Sequence, residues 1–142
     1  MKIARQFPVL VLLVLIGVFA TACSTESTEA EGKAPSASDL ISGSPQQVPV
    51  PDMVTMVDIG AHECIPCKMM TPIIEELSVE YEGRAAIAFI DVWKHKEQAA
   101  KFGISSIPTQ IFYDAKGQEQ FRHVGFLSKE AIVSTLAKLG VE

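Results

Sequence analysis

The chain has few of the residues on which several classes of binding protein depend. Its 12 basic residues face 17 acidic ones, and a net charge of −5 argues against a nucleic-acid partner. It has three histidines and three cysteines, and only His62 lies near a cysteine pair that would need two more ligands to hold zinc. A c-type haem is disfavoured because Lys68, not histidine, follows Cys67. No metal and no haem is therefore expected.

Long apolar runs are also scarce, since only residues 7–20 form one. This run of about 14 residues is short for a transmembrane helix but typical of a signal-peptide core, and two basic residues precede it. Small residues then precede Cys23, as in a bacterial lipobox, although Ala20 stands where leucine is usual. This pattern predicts cleavage of residues 1–22 and a lipid on Cys23. The alternative is ordinary secretory cleavage near Ala22, and either form of export permits disulfide chemistry.

Residues 23–51 are expected to form a flexible linker that begins at the lipidated Cys23. From residue 24 they are rich in Ser, Thr, Glu, Gly, Ala and Pro, and poor in large apolar side chains. Such a composition cannot bury a core, so we expect a disordered tether with at most a brief turn at residues 39–41.

Residues 52–142 carry the alternating patterns of a folded α/β domain. The predicted strands are residues 54–59, 85–92, 109–113 and 118–124. The predicted helices run from residue 64 to a stop at Gly83, over residues 94–102, and from a cap at Ser128. The order βαβαββα predicts parallel crossovers between the first strands, a central strand at 85–92 and an antiparallel hairpin at the edge.

A pair of cysteines at the start of the first long helix carries the evident chemistry. The run is Cys64-Ile65-Pro66-Cys67. A sulfur at a helix N-terminus ionises easily, because free backbone N–H groups and the helix dipole stabilise a thiolate. The pair can therefore close a small disulfide or split one in another molecule. Half of a zinc site and a purely structural disulfide are the alternatives, but so small a loop gains little stability from a disulfide.

From Met53 onward the chain resembles the thioredoxin family. Asp58 lies six residues before the first cysteine, and Pro72 lies inside the helix. Residues 103–109 match the family segment Gly-Ile-x-x-Ile-Pro-Thr, which contains the pair Ile107-Pro108. This resemblance implies the thioredoxin fold, with a central mixed sheet flanked by helices. It also implies a thiol–disulfide oxidoreductase that needs no dissociable cofactor.

The resemblance also implies a role for each matching residue. Cys64 would be the nucleophile that forms a mixed disulfide, and Cys67 would resolve it. Asp58 would lie beneath Cys67 and relay its proton, although a strand-end carboxylate that is merely hydrogen-bonded is the alternative. The substrate would contact four residues beside the pair: Ile65, Pro66, Ile107 and Pro108.

Ile107-Pro108 matches the cis-proline site of the family. A cis bond there would place the Ile107 backbone beside Cys64, where a substrate strand can form hydrogen bonds. A trans turn proline is the alternative.

Three positions depart from the family pattern. Glu63 replaces the usual tryptophan, Gly60 replaces an aromatic residue, and Phe89 replaces the lysine of some thioredoxins. A carboxylate beside Cys64 should disfavour its thiolate, which predicts a reducing pair and not a strong oxidant. Loss of the lysine should leave the pKa of Asp58 higher. The only tryptophan, Trp93, is predicted to lie away from the active site.

Together these features predict an exported, lipid-anchored and monomeric reductant of protein disulfides, facing the periplasm or the cell exterior. A membrane thiol reductant would recycle it. The alternatives are a non-catalytic scaffold or chaperone with the same fold, and a disulfide oxidase or isomerase.

Overall fold

A computed structural model describes residues 35–142, and four strands in it form one mixed sheet. The strands are β1 (Thr55–Gly60), β2 (Ala86–Asp91), β3 (Thr109–Tyr113) and β4 (Glu119–Val124). Their order in the sheet is β2-β1-β3-β4. β1 is parallel to β2 and antiparallel to β3, and β3 and β4 form an antiparallel hairpin. The predicted mixed sheet with a hairpin edge is confirmed.

The helices are α1 (Ala37–Leu40), α2 (Ile65–Glu80), α3 (Lys96–Lys101) and α4 (Lys129–Lys138). α2 continues through Pro72. Ser128 caps α4 as predicted, since its Oγ accepts a hydrogen bond from the Ala131 N–H at 3.3 Å. Within residues 35–142 no helix is both long enough and apolar enough to cross a bilayer.

The core lies on both faces of the sheet, because successive side chains of a strand point to opposite faces. On one face Met56 packs with the apolar residues of α2 and α4, including Leu77 and Leu136. On the other face Val57 packs with residues that include Leu40 and Phe102. β1 is therefore buried along its whole length, Asp58 included.

The strand predicted to be central, at residues 85–92, is instead β2 at an edge of the sheet. Its apolar sequence has another cause. Ile90 forms an isolated bridge with Gly43, and the Asp91 N–H donates to the Gly43 carbonyl at 2.9 Å. The segment before β1 thus covers part of the open edge of β2, and the residues of β2 are also buried on both faces of the sheet.

The crossover through α3 was predicted to be parallel, and this was wrong. β2 is parallel to β1, whereas β3 is antiparallel to it. The short α3 segment returns the chain to the same end of the sheet at which β2 leaves it. As a result, the C-terminal ends of β1 and β2 and the start of β3 lie at the same end of the sheet.

The structure corrects the predicted linker boundary at residue 51. Ser36 caps α1, and Leu40, Val48 and Val50 are at most 8% exposed and belong to the core. Few apolar side chains suffice here, because they pack on the existing sheet and not on a core of their own. The predicted signal peptide, Cys23 and the first part of the tether lie outside the described residues.

Candidate active site

The predicted redox pair lies at the end of the sheet where β1 and β2 terminate, in the turn that joins β1 to α2. Cys64 is the N-cap residue of α2. Its N–H donates to the Ala61 carbonyl at 3.2 Å, and its carbonyl accepts from the Lys68 N–H at 3.0 Å. Pro66 lies in the first turn, where a backbone N–H would have no helical partner. The local sequence therefore places Cys64 at the N-terminus of α2.

Both cysteines are free thiols, and both are nearly buried. Cys64 is 8% exposed and Cys67 is 3% exposed, and they pack with Ala61 and Ile107. Burial, followed by a hydrogen bond with Cys64, raises the pKa of Cys67 to about 12, although the Ala61 backbone opposes this. Cys67 is thus held as a protonated thiol inside the domain.

Asp58 lies on β1 beneath this pair and is 1% exposed. Burial raises the pKa of its carboxyl to about 7, although the hydrogen bond from Gln110 Nε2 to Asp58 Oδ1, at 2.7 Å, opposes the rise. The Asp58 charge in turn contributes to the raised pKa of Cys67. The Asp58 charge therefore acts on the Cys67 thiol, and Asp58 can bind or release a proton near neutral pH.

A cavity of about 90 Å³ adjoins the Asp58 carboxyl. Its lining comprises Ile41, Asp58, His62, Thr71, Ile74, Glu75 and Phe89. Phe89 thus faces the buried acid where some relatives have a lysine, and among residues 35–142 no lysine or arginine lines this cavity. Gly60 leaves room for the aromatic ring, since a Cβ there would lie 3.3 Å from both Phe89 Cε2 and Cys67 Sγ.

The four predicted substrate-contact residues lie in two segments, residues 65–66 between the cysteines and residues 107–108 before β3. The Ile107–Pro108 peptide bond is cis, as predicted. Ile107 packs against the cysteines, while Ile65 is 79% exposed at the start of α2. Pro66 is exposed and Pro108 is buried.

Glu63 does not present an isolated charge to Cys64. Its Oε2 lies 3.1 Å from Lys68 Nζ, and the two side chains are 77% and 54% exposed. Such an exposed ion pair contributes little to stability, but it partly neutralises the carboxylate beside the thiol.

Sequence reasoning missed four residues of this site: His62, Asp91, Trp93 and Gln110. His62 Nδ1 contacts Asp91 Oδ2 at 2.6 Å. Trp93 lines a groove that also includes Ile107, one of the predicted substrate-contact residues. Within residues 35–142 no three His, Cys, Asp or Glu side chains cluster as a metal site would require.

The matches with known proteins agree with this geometry. Residues 45–138 match the family model described as Thioredoxin. The chain belongs to the thioredoxin family. It is 44% identical over 85 residues to thioredoxins of Staphylococcus aureus strains MW2 and N315, across 60% of this chain and 81% of theirs. The crystal structure of thioredoxin NaTrxh from Nicotiana alata superposes with a TM-score of 0.56 at 32% identity, across 64% of this chain and 76% of that one.

Membership of the thioredoxin family decides the general activity. The protein is a thiol–disulfide oxidoreductase with a Cys-x-x-Cys pair, Cys64 and Cys67. The family also implies substrates that contain disulfides, and a reductant that restores the dithiol.

Proposed function

We propose that this protein reduces protein disulfides outside the cytoplasm, while a lipid on Cys23 holds it at a membrane. The observation that carries the reducing direction is the carboxylate of Glu63, directly before Cys64. Strong oxidants owe their potential to a stabilised thiolate of the nucleophilic cysteine in the reduced form. The Glu63 carboxylate repels negative charge at this position, although Lys68 partly neutralises it. The site therefore supports a reducing couple more than a strongly oxidising one.

The proposed cycle begins with the reduced pair. The Cys64 sulfur attacks a substrate disulfide, and one substrate sulfur leaves with a proton. Cys67 then loses its proton, attacks the Cys64 sulfur, and breaks the bond between Cys64 and the substrate. The substrate gains two electrons, and a Cys64–Cys67 disulfide forms.

Asp58 is the proposed acceptor of the Cys67 proton. In the resting dithiol, part of the rise in the pKa of Cys67 comes from Cys64. Once Cys64 is bonded to substrate its sulfur carries no charge, so the coulombic part of this contribution disappears. The Cys67 thiol then becomes a better acid at the step that requires its deprotonation.

The proposed location rests on the first 23 residues. A basic start, an apolar run at residues 7–20 and small residues before Cys23 are typical of an exported lipoprotein. In that compartment a membrane thiol reductant would supply the electrons. A lipid and a tether would keep the domain near such a donor and raise its effective concentration.

Two measurements test the redox direction. The purified domain should reduce insulin in the presence of dithiothreitol, and Cys64→Ser should abolish this. The Cys64–Cys67 couple should have a potential of roughly −200 to −270 mV. A value near −120 mV would instead support an oxidase, and unchanged insulin reduction by Cys64→Ser would exclude the exchange mechanism.

A trap tests both substrate class and location. Cys67→Ser should accumulate disulfide-linked proteins through Cys64, and the Cys64→Ser/Cys67→Ser variant is the control that should accumulate none. Cys23→Ser should move the protein from the membrane fraction to a soluble fraction. Recovery of no linked protein, together with full complementation by the double variant, would favour the scaffold or chaperone alternative.

A further inference from the structure

Gln110 is a buried polar residue that the packing of the sheet does not require. It lies within β3 directly opposite Asp58 of β1, and it is 0% exposed. Its Nε2 donates to Asp58 Oδ1 at 2.7 Å, but its buried Oε1 has no hydrogen-bond partner. An unpaired buried acceptor is destabilising, so an apolar side chain would be expected at this position.

The chemistry of Asp58 offers a reason for the amide. An ionised carboxylate only accepts hydrogen bonds, whereas a protonated carboxyl also donates one. A glutamine amide is neutral and can do both. In the present orientation Nε2 serves the carboxylate. A half-turn about the last side-chain bond would bring Oε1 to the same place, where it would accept from the Asp58 O–H.

We propose that Gln110 is the positioning residue for proton transfer at Asp58, with an amide that pairs with the carboxylate and, after reorientation, with the carboxylic acid. The unpartnered Oε1 is the acceptor held for the second state. The inference rests on the disulfide exchange proposed for Cys64 and Cys67. Within that cycle the Cys67 proton passes to Asp58 and later leaves to solvent, while Gln110 neither gains nor loses a proton.

The surroundings of Asp58 leave this task to Gln110. Two titratable residues of α2, Cys67 and Glu75, lie near Asp58. A third, His62, lies in the turn after β1. The neighbour from β2 is the uncharged Phe89, and Ile41 is the neighbour from the segment before β1. Among residues 35–142 the Gln110 amide makes the one side-chain hydrogen bond to the Asp58 carboxyl.

The experiment isolates the step in which Cys67 resolves the mixed disulfide. The reduced protein is mixed with an aromatic nitrobenzoate disulfide, and release of the second nitrobenzoate thiol is followed between pH 5 and 9. Gln110→Met keeps the side-chain length and removes the hydrogen bond. At pH 7 the resolving rate should fall about threefold to tenfold, and the midpoint of its pH profile should rise by roughly one unit.

A double-variant cycle separates this role from a structural one. In an Asp58→Asn background, Gln110→Met should change neither the rate nor its pH profile, because Gln110 acts only through Asp58. An equal loss in both backgrounds would overturn the inference. So would an unchanged profile in a folded Gln110→Met variant.

A second measurement needs no variant. The side-chain amide resonances of Gln110 in the wild-type protein should shift with pH at the same midpoint as the Asp58 carboxyl carbon. Independence of the two titrations would overturn the inference even if Gln110→Met did not fold. Failure of the wild-type protein to release the second thiol would instead count against the exchange function, and the amide titration would still test Gln110.

Discussion

His62 Nδ1 lies 2.6 Å from Asp91 Oδ2, and this contact joins the turn after β1 to the end of β2. Asp91 also accepts three backbone hydrogen bonds, from the N–H groups of His62, Trp93 and Lys94, at 2.9 to 3.1 Å. Burial alone would raise the pKa of Asp91, but the hydrogen bonds, first that of the His62 side chain, outweigh burial and lower it to about 2. The carboxylate therefore fixes the turn that leads to Cys64.

Asp91→Ala should destabilise the protein by about 2–4 kcal/mol at pH 7, because it leaves several N–H groups without their acceptor. An acid with a lowered folded-state pKa contributes stability that is present above its unfolded pKa of 3.8 and is lost as the pH falls toward 2. Urea unfolding at pH 7 and pH 3 should thus show a smaller effect of the substitution at pH 3. Asp114→Ala, in an exposed turn, should cost less at pH 7. An equal loss from both substitutions would contradict the role of Asp91.

Leu40→Ala tests whether the segment before β1 belongs to the folded domain. Leu40 is 5% exposed and packs in the core cluster behind the sheet. Its truncation should cost about 2–4 kcal/mol in urea unfolding, through lost burial and the cavity left behind. Val79→Ala, at a side chain that is 70% exposed, is the control and should change stability by under about 0.5 kcal/mol. If this segment were a flexible tether, neither substitution would change the free energy of unfolding.

The parts of the site that could be predicted are those set by local sequence. Cys64 and Cys67 lie at a helix start that the apolar spacing and Pro66 indicate. Asp58 and Pro108 occupy fixed distances from recognisable motifs. Local patterns also gave the strands and the three longer helices to within a few residues.

The parts that could not be predicted depend on contacts between distant segments. Gln110 meets Asp58 only through the antiparallel register of β1 and β3, and the parallel crossover expected from the element order was wrong. Asp91 meets His62 because the parallel strands β1 and β2 terminate at the same end of the sheet. The signals were present, as a polar residue inside an apolar strand and an acid at a strand end. Their partners required the topology.

Asp58→Asn should stabilise the protein in a pH-dependent manner. The folded-state pKa of Asp58 is about 7, above its ordinary value of 3.8, so the folded state binds more protons between these values. Stability from this group is therefore full below about pH 4 and falls as the pH rises to 7. Three pH units correspond to about 4 kcal/mol, so the gain from Asp58→Asn should approach 2–4 kcal/mol at pH 8.

Urea unfolding of the reduced protein at pH 5 and pH 8 measures this gain. It should be clearly larger at pH 8. Asp52→Asn is a matched control in an exposed position whose positive φ of 58° suits asparagine, and it should change stability little at either pH. A gain that is the same at both pH values would argue against a buried, titrating Asp58.

Glu63→Gln should change the redox potential more than the stability. The Glu63–Lys68 pair is exposed, so its loss should cost under about 1 kcal/mol. Removal of a carboxylate beside Cys64 should stabilise the reduced form and raise the potential by about 10–20 mV. Equilibration with a glutathione buffer measures this shift, which should shrink at about 1 M salt. Glu82→Gln, in the turn that follows α2, should shift nothing, and a fall in potential for Glu63→Gln would refute the assigned effect.

Trp93 should report on substrate binding, because it is 56% exposed and lines a groove of about 350 Å³ together with Ile107. A peptide joined to Cys64 in the Cys67→Ser variant would run past Ile107 and cover part of this groove. Since the chain has one tryptophan, its emission should shift to shorter wavelength in that complex. A methanethiol adduct on Cys64 is the control and should leave the emission unchanged, because it does not reach the groove. Identical spectra for the two adducts would place the substrate on the other side of the cysteine pair.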